Sequence, residues 1–333
     1  MTARERLRLL APYTIILLVV PVAAVIEPVF FRASNLQNVA RSAAFLAVVA
    51  LGQLVVIIGR GLDLSVGGVI TTSSLLMVHF AGTAEGSLLA GIAWVVAVAL
   101  AIGILNGVMV AFRRVPAILA TLGTLFLVQG VSLWLTEGRS RGRVPDALVA
   151  FGAGRIGPIP VPVVVAAAVA VLMAVVLYRS PYGRAVYATG LNPEATALAG
   201  VPTRLVHAST FVVAALAAAL AGLMLSGFVG FYDRTLGVGY DLDSIAAVVL
   251  GGASLLGGRG YVVGTLAAVV GLAGLDNLLL LQGVGESYQL IGKGIVLFAA
   301  VLFTSLVRRA SSSPAGKQTE VVTTPPERNH TTA

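Results

Sequence analysis

The sequence predicts an all-α, polytopic helical membrane protein of about ten transmembrane helices, and three observations carry that prediction. Hydrophobic residues make up 58% of the 333 and charged residues 11%, with a mean hydropathy of +0.97, a balance incompatible with a water-soluble globule. The apolar stretches recur at close to the roughly 20 residues that cross a hydrocarbon core about 30 Å thick. Unbroken runs such as Val161 to Leu177 exclude a transmembrane barrel, whose strands alternate in polarity over about 10 residues.

In chain order the spans are expected near 11–31, 42–58, 66–82, 88–112, 117–135, 159–178, 206–229, 243–256, 261–282 and 289–307. Arg4, Arg6 and Arg8 precede the first in the manner of a signal peptide. No cleavage signal is evident and the run continues through Phe31, so an uncleaved span is expected. Segments 66–82 and 243–256 are short and rich in Gly and Ser. They are expected to be broken or partly re-entrant, because irregular backbone survives at membrane depth only inside protein or beside water. After Arg309 the chain turns polar, with Ser311-Ser312-Ser313 and Pro325-Pro326 and no apolar periodicity. The expected division is a cytoplasmic segment 1–10, a membrane domain 11–309 and a disordered cytoplasmic tail 310–333.

The formal charge of +8 sits at span ends and in loops rather than along a soluble face, which points to topology and anionic lipid instead of nucleic acid. With the amino terminus inside, Arg60, Arg113, Arg114, Arg179, Arg184, Arg204, Arg259, Arg308 and Arg309 face the cytoplasm. The positive-inside rule then predicts a multi-pass chain with both termini cytoplasmic, although Arg139, Arg141, Arg143 and Arg155 on the outer side run against it. There is no cysteine, hence no disulfide, thiol nucleophile or cysteine metal site. His79, His207 and His330 lack metal-ligand spacing, and Gly292-Lys293-Gly294 lacks the spacing and hydroxyl of a phosphate loop. No metal, no cofactor and no enzymatic activity, ATP hydrolysis included, are expected of the chain itself.

Polar residues in apolar surroundings are the candidates for work. The break Gly61-Leu62-Asp63-Leu64-Ser65-Val66-Gly67 places a carboxylate and a hydroxyl where the chain re-enters the bilayer. Ser65 is expected to N-cap the following half-helix, and Asp63 and Ser65 fit a structural cap and a gate equally. Asn106, Thr121, Thr124, Gln129, Asp276, Asn277, Gln289 and Lys293 lie within spans. Neutral hydrogen-bonding groups on an inward face line a path for a polar solute; the competing reading is glue between helices. An ammonium at mid-depth needs a partner, so Lys293 is expected to pair with Asp276 or Glu286, or to snorkel, and Glu27 to pair with Arg32 at the interface. Gly251-Gly252 and Gly257-Gly258, with Gly260 and Gly264, allow close packing and sharp turns. Outside, Arg139, Arg141, Asp233, Arg234 and Asp241 are available to orient a docking protein, against the alternative of a merely solvated loop.

The longest cytoplasmic connection, Arg179 to Arg204, contains its own helix. Asn192 is a good N-cap, Pro193 suits the first helical position, Glu194 favours the positive end of the dipole and Gly200 supplies a left-handed C-cap. A two-turn helix outside the bilayer results. It is either an inert connector or a rigid knob that docks into a soluble partner.

These motifs together resemble the permease subunits of bacterial ATP-binding-cassette importers, in the branch for ribose, xylose, galactose and similar sugars. The resemblance rests on residues 61–67, Ala120-Thr121-Leu122-Gly123-Thr124, Gly183-Arg184 with Asn192 to Gly200, and the run Asp243 to Gly260, in that order across about 40–305. Branched-chain amino-acid permeases share the superfamily but match the first motif less closely. The resemblance implies a coupling helix seated on an ATPase subunit, with Arg184, Asn192, Pro193, Glu194, Ala195 and Gly200 forming the coupling loop. It implies a second permease copy, identical or closely related, two ATPase domains beneath, an extracytoplasmic solute-binding protein above and a small sugar as substrate. The first span and the tail match least. The alternative is an ion-coupled secondary transporter using Asp63, Asp276, Glu27 and Lys293, which needs no docking knob. A channel lacks its filter motif and an intramembrane enzyme lacks a catalytic pair.

Overall fold

In the computed structural model, which describes residues 14–82, 86–140 and 142–285 with Tyr288, Ile291, Gly292 and Gly294, the apolar runs form helices. Helix α1 (Thr14–Ile26) gives way at Glu27 to a 3-10 turn, Pro28–Phe31. It is followed by α2 (Ala33–Ile58), α3 (Val66–Ala81) and α4 (Leu88–Gly107), the last prolonged by a π turn, Val108–Phe112. After α5 (Ala117–Thr136) come a short helix α6 (Asp146–Ala153) and an antiparallel hairpin, β1 (Arg155–Ile156) and β2 (Ile159–Pro160), pairing Arg155 with Pro160 and Ile156 with Ile159. Then follow α7 (Val161–Arg179), α8 (Pro181–Leu191), α9 (Pro193–Leu198), α10 (Thr203–Val229), α11 (Tyr240–Leu250) and α12 (Val262–Leu281).

Among the described residues six helices are long and apolar enough to cross a membrane: α2, α4 with its π turn, α5, α7, α10 and α12. The chain is an all-α, multi-pass membrane protein. A count of about ten needs α1, α3, α11 and residues 289–307 as well, and the last of these lie almost wholly outside the described residues. The expected first span is interrupted: Glu27 accepts a hydrogen bond from the Val29 N–H and from the Gln282 side chain, so it caps the turn rather than pairing with Arg32. Residues 136–158, expected as an outer loop, hold α6, whose Gly152 lies so close to the α10 backbone at Met224 and Phe228 that no Cβ fits.

Helices α2 and α10 form the centre, with α2 buried over 94% of its apolar window against 17% for α7. Lipid gives helices no hydrophobic reason to associate, so small residues that let backbones approach carry the packing. A Cβ on Gly52 of α2 would stand 2.7 Å from Ala217 Cβ of α10, and one on Gly103 of α4 2.7 Å from Val212 Cα. The peripheral helices turn Trp94, Phe126, Trp134 and Leu172 outward.

One end of this bundle, the break end, carries residues 59–65, α8, α9 and the turn between α11 and α12. The other, the loop end, carries residues 137–160 and 230–236, where the Val144 N–H donates to Gly230 O (3.2 Å) and the Arg234 N–H to Ser140 Oγ (3.2 Å). The two short apolar helices begin between these ends. Residues 59–65 fold back along α2, where the Gln53 carboxamide pairs with the Asp63 backbone (3.2 and 3.1 Å). From the loop end the chain descends until the Gly237 N–H reaches Thr71 Oγ1 (3.1 Å) and its backbone lies against Gly67. α3 and α11 are thus half-helices starting inside the protein and running to opposite ends, as the Gly/Ser-rich segments led us to expect.

Candidate functional site

The break is organised by Asp63. Its Oδ1 accepts from the Ser65 N–H (2.8 Å) and the Ser65 hydroxyl (2.6 Å). Ser65 stands at the N-cap position of α3, but its side chain makes no capping bond. The expected Ser65 cap is not made because a carboxylate two residues upstream takes both of its hydrogens, leaving Ser65 Oγ as an acceptor. The Asn106 side chain of α4 donates to it (2.9 Å), and Asn106 Oδ1 accepts from the Thr124 hydroxyl of α5 (2.6 Å). The Thr121 hydroxyl lies 2.8 Å from Ala117 O and 3.4 Å from Leu62 O. Four of the residues expected along the path, Asp63, Ser65, Asn106 and Thr124, are therefore joined in one chain of hydrogen bonds from the break to α4 and α5, and Thr121 reaches the break separately through Leu62 O; all five are buried.

The arm beside the break is built as the sequence indicated. Asn192 Oδ1 accepts from the Glu194 N–H (3.1 Å) and the Ala195 N–H (3.0 Å), and Pro193 opens α9. Gly200, at φ +83°, closes it: its N–H donates to Ala197 O and that of Val201 to Thr196 O, a two-bond C-cap. Arg184, Glu194, Ala195 and Gly200 are exposed, and Leu198 is 91% exposed. The arm holds one helix more than expected, α8, capped by the Ser180 hydroxyl accepting from the Gly183 N–H (3.0 Å). It seats against the bundle where Gly190 meets the Ile58 carbonyl and Gly258 with no room for a Cβ.

Above the break lies a cavity of 330 Å³ lined by Ser42, Leu46, Val238, Tyr240, Asp243, Ala273, Asp276, Asn277 and Leu280. It lies beside the start of half-helix α11, and Asn277 on its wall exchanges two hydrogen bonds with Asn35 (2.7 and 3.0 Å). Gln129 is half-buried on α5, apart from the polar chain. At the loop end Arg139 is 3.8 Å from Glu137, and Asp233 Oδ1 accepts from the N–H and hydroxyl of Thr235 (2.8 Å each). Arg234 is exposed beside Ser140, and Asp241 is half-buried in the first turn of α11. Arg141, Gln289 and Lys293, with the expected partner Glu286, lie outside the described residues.

Reasoning from the sequence missed Gln53, Asn35, Ser42, Tyr240 and Asp243. Gln53 carried a signal, being an amide in an apolar run; Asn35 lies among other polar residues, and the rest acquire meaning only once α2, α11 and α12 are side by side.

Among the described residues, six full-length apolar helices, two half-helices meeting inside the bundle and a capped helical arm at one end fit a class, the polytopic membrane permeases. The chain belongs to the family described as "branched-chain amino acid transport system / permease component", whose model matches residues 35–301. Among curated proteins it is 36% identical to the ribose import permease protein RbsC of Escherichia coli over 86% of this chain and 90% of that one. It is 34% identical to RbsC of Bacillus subtilis over 88% and 91% of the two chains. With the autoinducer 2 import system permease protein LsrC of Yersinia enterocolitica it shares 32% identity over 92% and 84%. No solved structure matches significantly.

Proposed function

We propose that the chain is the translocating subunit of an ATP-binding-cassette importer for a small sugar of the ribose, xylose and galactose class. The chain itself is not an enzyme; ATP is hydrolysed on a separate ATPase subunit, and the sugar arrives on an extracytoplasmic binding protein. Two permease copies complete the pathway. The names of the curated relatives support the sugar, and Arg60, Arg113, Arg114, Arg179, Arg184, Arg204 and Arg259 at the break end support placing that end, and both termini, in the cytoplasm. Residues 1–10 and 310–333 then flank a permease domain, 11–309, in the bacterial inner membrane.

The observation that carries this reading is α9, capped at both ends, seated on the bundle through α8 and presenting Leu198 and Glu194 to solvent. A connector has no need of such a surface; a helix that seats in a soluble ATPase does. Arg184, Asn192, Pro193, Glu194, Ala195 and Gly200 form that coupling loop. Asp63, Ser65, Asn106, Thr121, Thr124, Gln129, Asn277, Gln289 and Lys293 serve the path or its gate, and the polar cavity beside α11 offers hydroxyl-bearing solutes acceptors and donors. Arg139, Arg141, Asp233, Arg234 and Asp241 receive the binding protein by charge complementarity.

The test is sugar uptake into vesicles holding the chain alone, then with its ATPase and binding protein, with and without ATP. Uptake confined to the complete, ATP-fed mixture is expected, and replacing Glu194 and Gly200 together should uncouple ATPase stimulation from uptake. Uptake by the chain alone on an ion gradient would overturn the reading in favour of a secondary transporter.

A further inference from the structure

The arm is held by more than its place in the chain. The Tyr187 hydroxyl, midway along α8, donates to Gly260 O (2.7 Å), and the Tyr178 hydroxyl, in the last turn of α7, accepts from the Val262 N–H (2.9 Å). Val262 is the first residue of α12, so one phenol satisfies a helix-terminal N–H that has no partner within its own helix, and the other takes the carbonyl just before it. Between them the Gly258 N–H donates to Ile58 O (2.8 Å), the last residue of α2, against which Gly190 of α8 packs. Gly257 and Gly258 at φ +82° and +71° make this turn possible, because consecutive left-handed residues are tolerated only without a Cβ. Burial, with the Tyr178 and Tyr261 phenols alongside, raises the Tyr187 phenol above its ordinary value, so it stays a donor.

An α-helix moves nearly as a rod, rising 1.5 Å per residue. Displacing the first turn of α12 therefore displaces Asp276 and Asn277, roughly 20 Å further along the same helix, on the wall of the cavity. We propose that Tyr187 and Tyr178 are positioning residues that latch the arm to the start of α12, so that a push on α9 reaches the cavity through α12. The inference rests on the permease reading above and adds the route by which the arm acts. Neither phenol touches solute: each holds one element to another.

The complete, ATP-fed system tests this with Tyr187→Phe, Tyr178→Phe and the double variant, which keep the rings and remove only the hydroxyls. Folded yield and binding-protein-stimulated ATP hydrolysis should persist, while sugar moved per ATP falls by roughly two- to tenfold per hydroxyl, the equivalent of one net hydrogen bond. A second readout follows motion directly. The chain has no native cysteine, so Ala197→Cys on α9 and Val270→Cys on α12 can each carry a lone spin label and be measured against a reference label on the ATPase. With both tyrosines present, ATP should move both labels; in the double variant it should move the α9 label and leave the α12 label in place. Unchanged sugar per ATP, or an α12 shift that survives loss of both hydroxyls, overturns the latch. Uptake independent of ATP in the unaltered chain would instead strike the permease reading itself, so the two failures are distinguishable.

Discussion

Backbone links join distant segments at both ends of the molecule, but the side chains at the two ends differ in how far their bonds reach. At the break end the contacts join residues distant in sequence: Tyr187 to Gly260, Gly258 to Ile58, and Ser65 to Asn106 and on to Thr124. At the loop end the charged side chains bond to near neighbours, Arg143 to Asp146 (2.8 Å), Arg139 to Glu137 and Asp233 to Thr235, leaving both partners largely in solvent. A region that passes on a displacement needs rigid links between elements. A region that meets another protein transiently needs charges that can exchange partners, and short-range exposed pairs do so at little loss of stability.

That contrast can be broken in three places. The largest expected effect is at Gly190, where any side chain overlaps the Ile58 carbonyl. Gly190→Val should destabilise by at least the roughly 1–3 kcal/mol that overpacking costs, read as a lower thermal midpoint in detergent. Native stability in this variant would mean that the arm is free to shift and that the break end is not rigid. Next comes Asn106→Leu, which removes two buried hydrogen bonds and leaves the Thr124 hydroxyl and Ser65 Oγ without this partner. A loss of about 1–3 kcal/mol is expected by the same measurement. Less than a few tenths would reduce the polar chain to incidental contacts. The smallest effect belongs to the loop end: Arg143→Ala removes an exposed pair and should leave the thermal midpoint unchanged. A clear drop there would show that this end, too, is held by its charges.

What was legible in the sequence follows the same division. The ends of α9 were readable because capping is local chemistry: Asn192, Pro193, Glu194 and Gly200 lie within nine residues of one another. Most long spans were readable because lipid demands an apolar run of sufficient length, and α4 with its π turn, α5, α7 and α12 begin and end within two residues of their expected limits. The start of α2 was not, since its first turns, with Asn35, Gln37 and Asn38, are polar enough to pass for a loop until Asn35 is seen to bond Asn277 of α12. In the candidate site, Ser65 was expected to cap α3 and does not, because propensity ranks Ser and Asp alike at a cap and only geometry tells which oxygen is in reach. The latch was invisible, as nothing near Tyr187 announces a carbonyl 73 residues away.

The half-length of α11 bears on how the chain is made. Eleven residues are too few to partition into a bilayer by themselves, since roughly 20 are needed, and the run of turns before them would bring polar backbone into hydrocarbon. During synthesis α11 must wait for company. Thr71 and Gly67, which receive Gly237, leave the ribosome more than 160 residues earlier, so the receptor for the re-entrant segment is ready before the segment appears. The order of elements along the chain is thus also an assembly order, in which the late half-helix meets a surface of α3 made before it and is covered by α12 made after it.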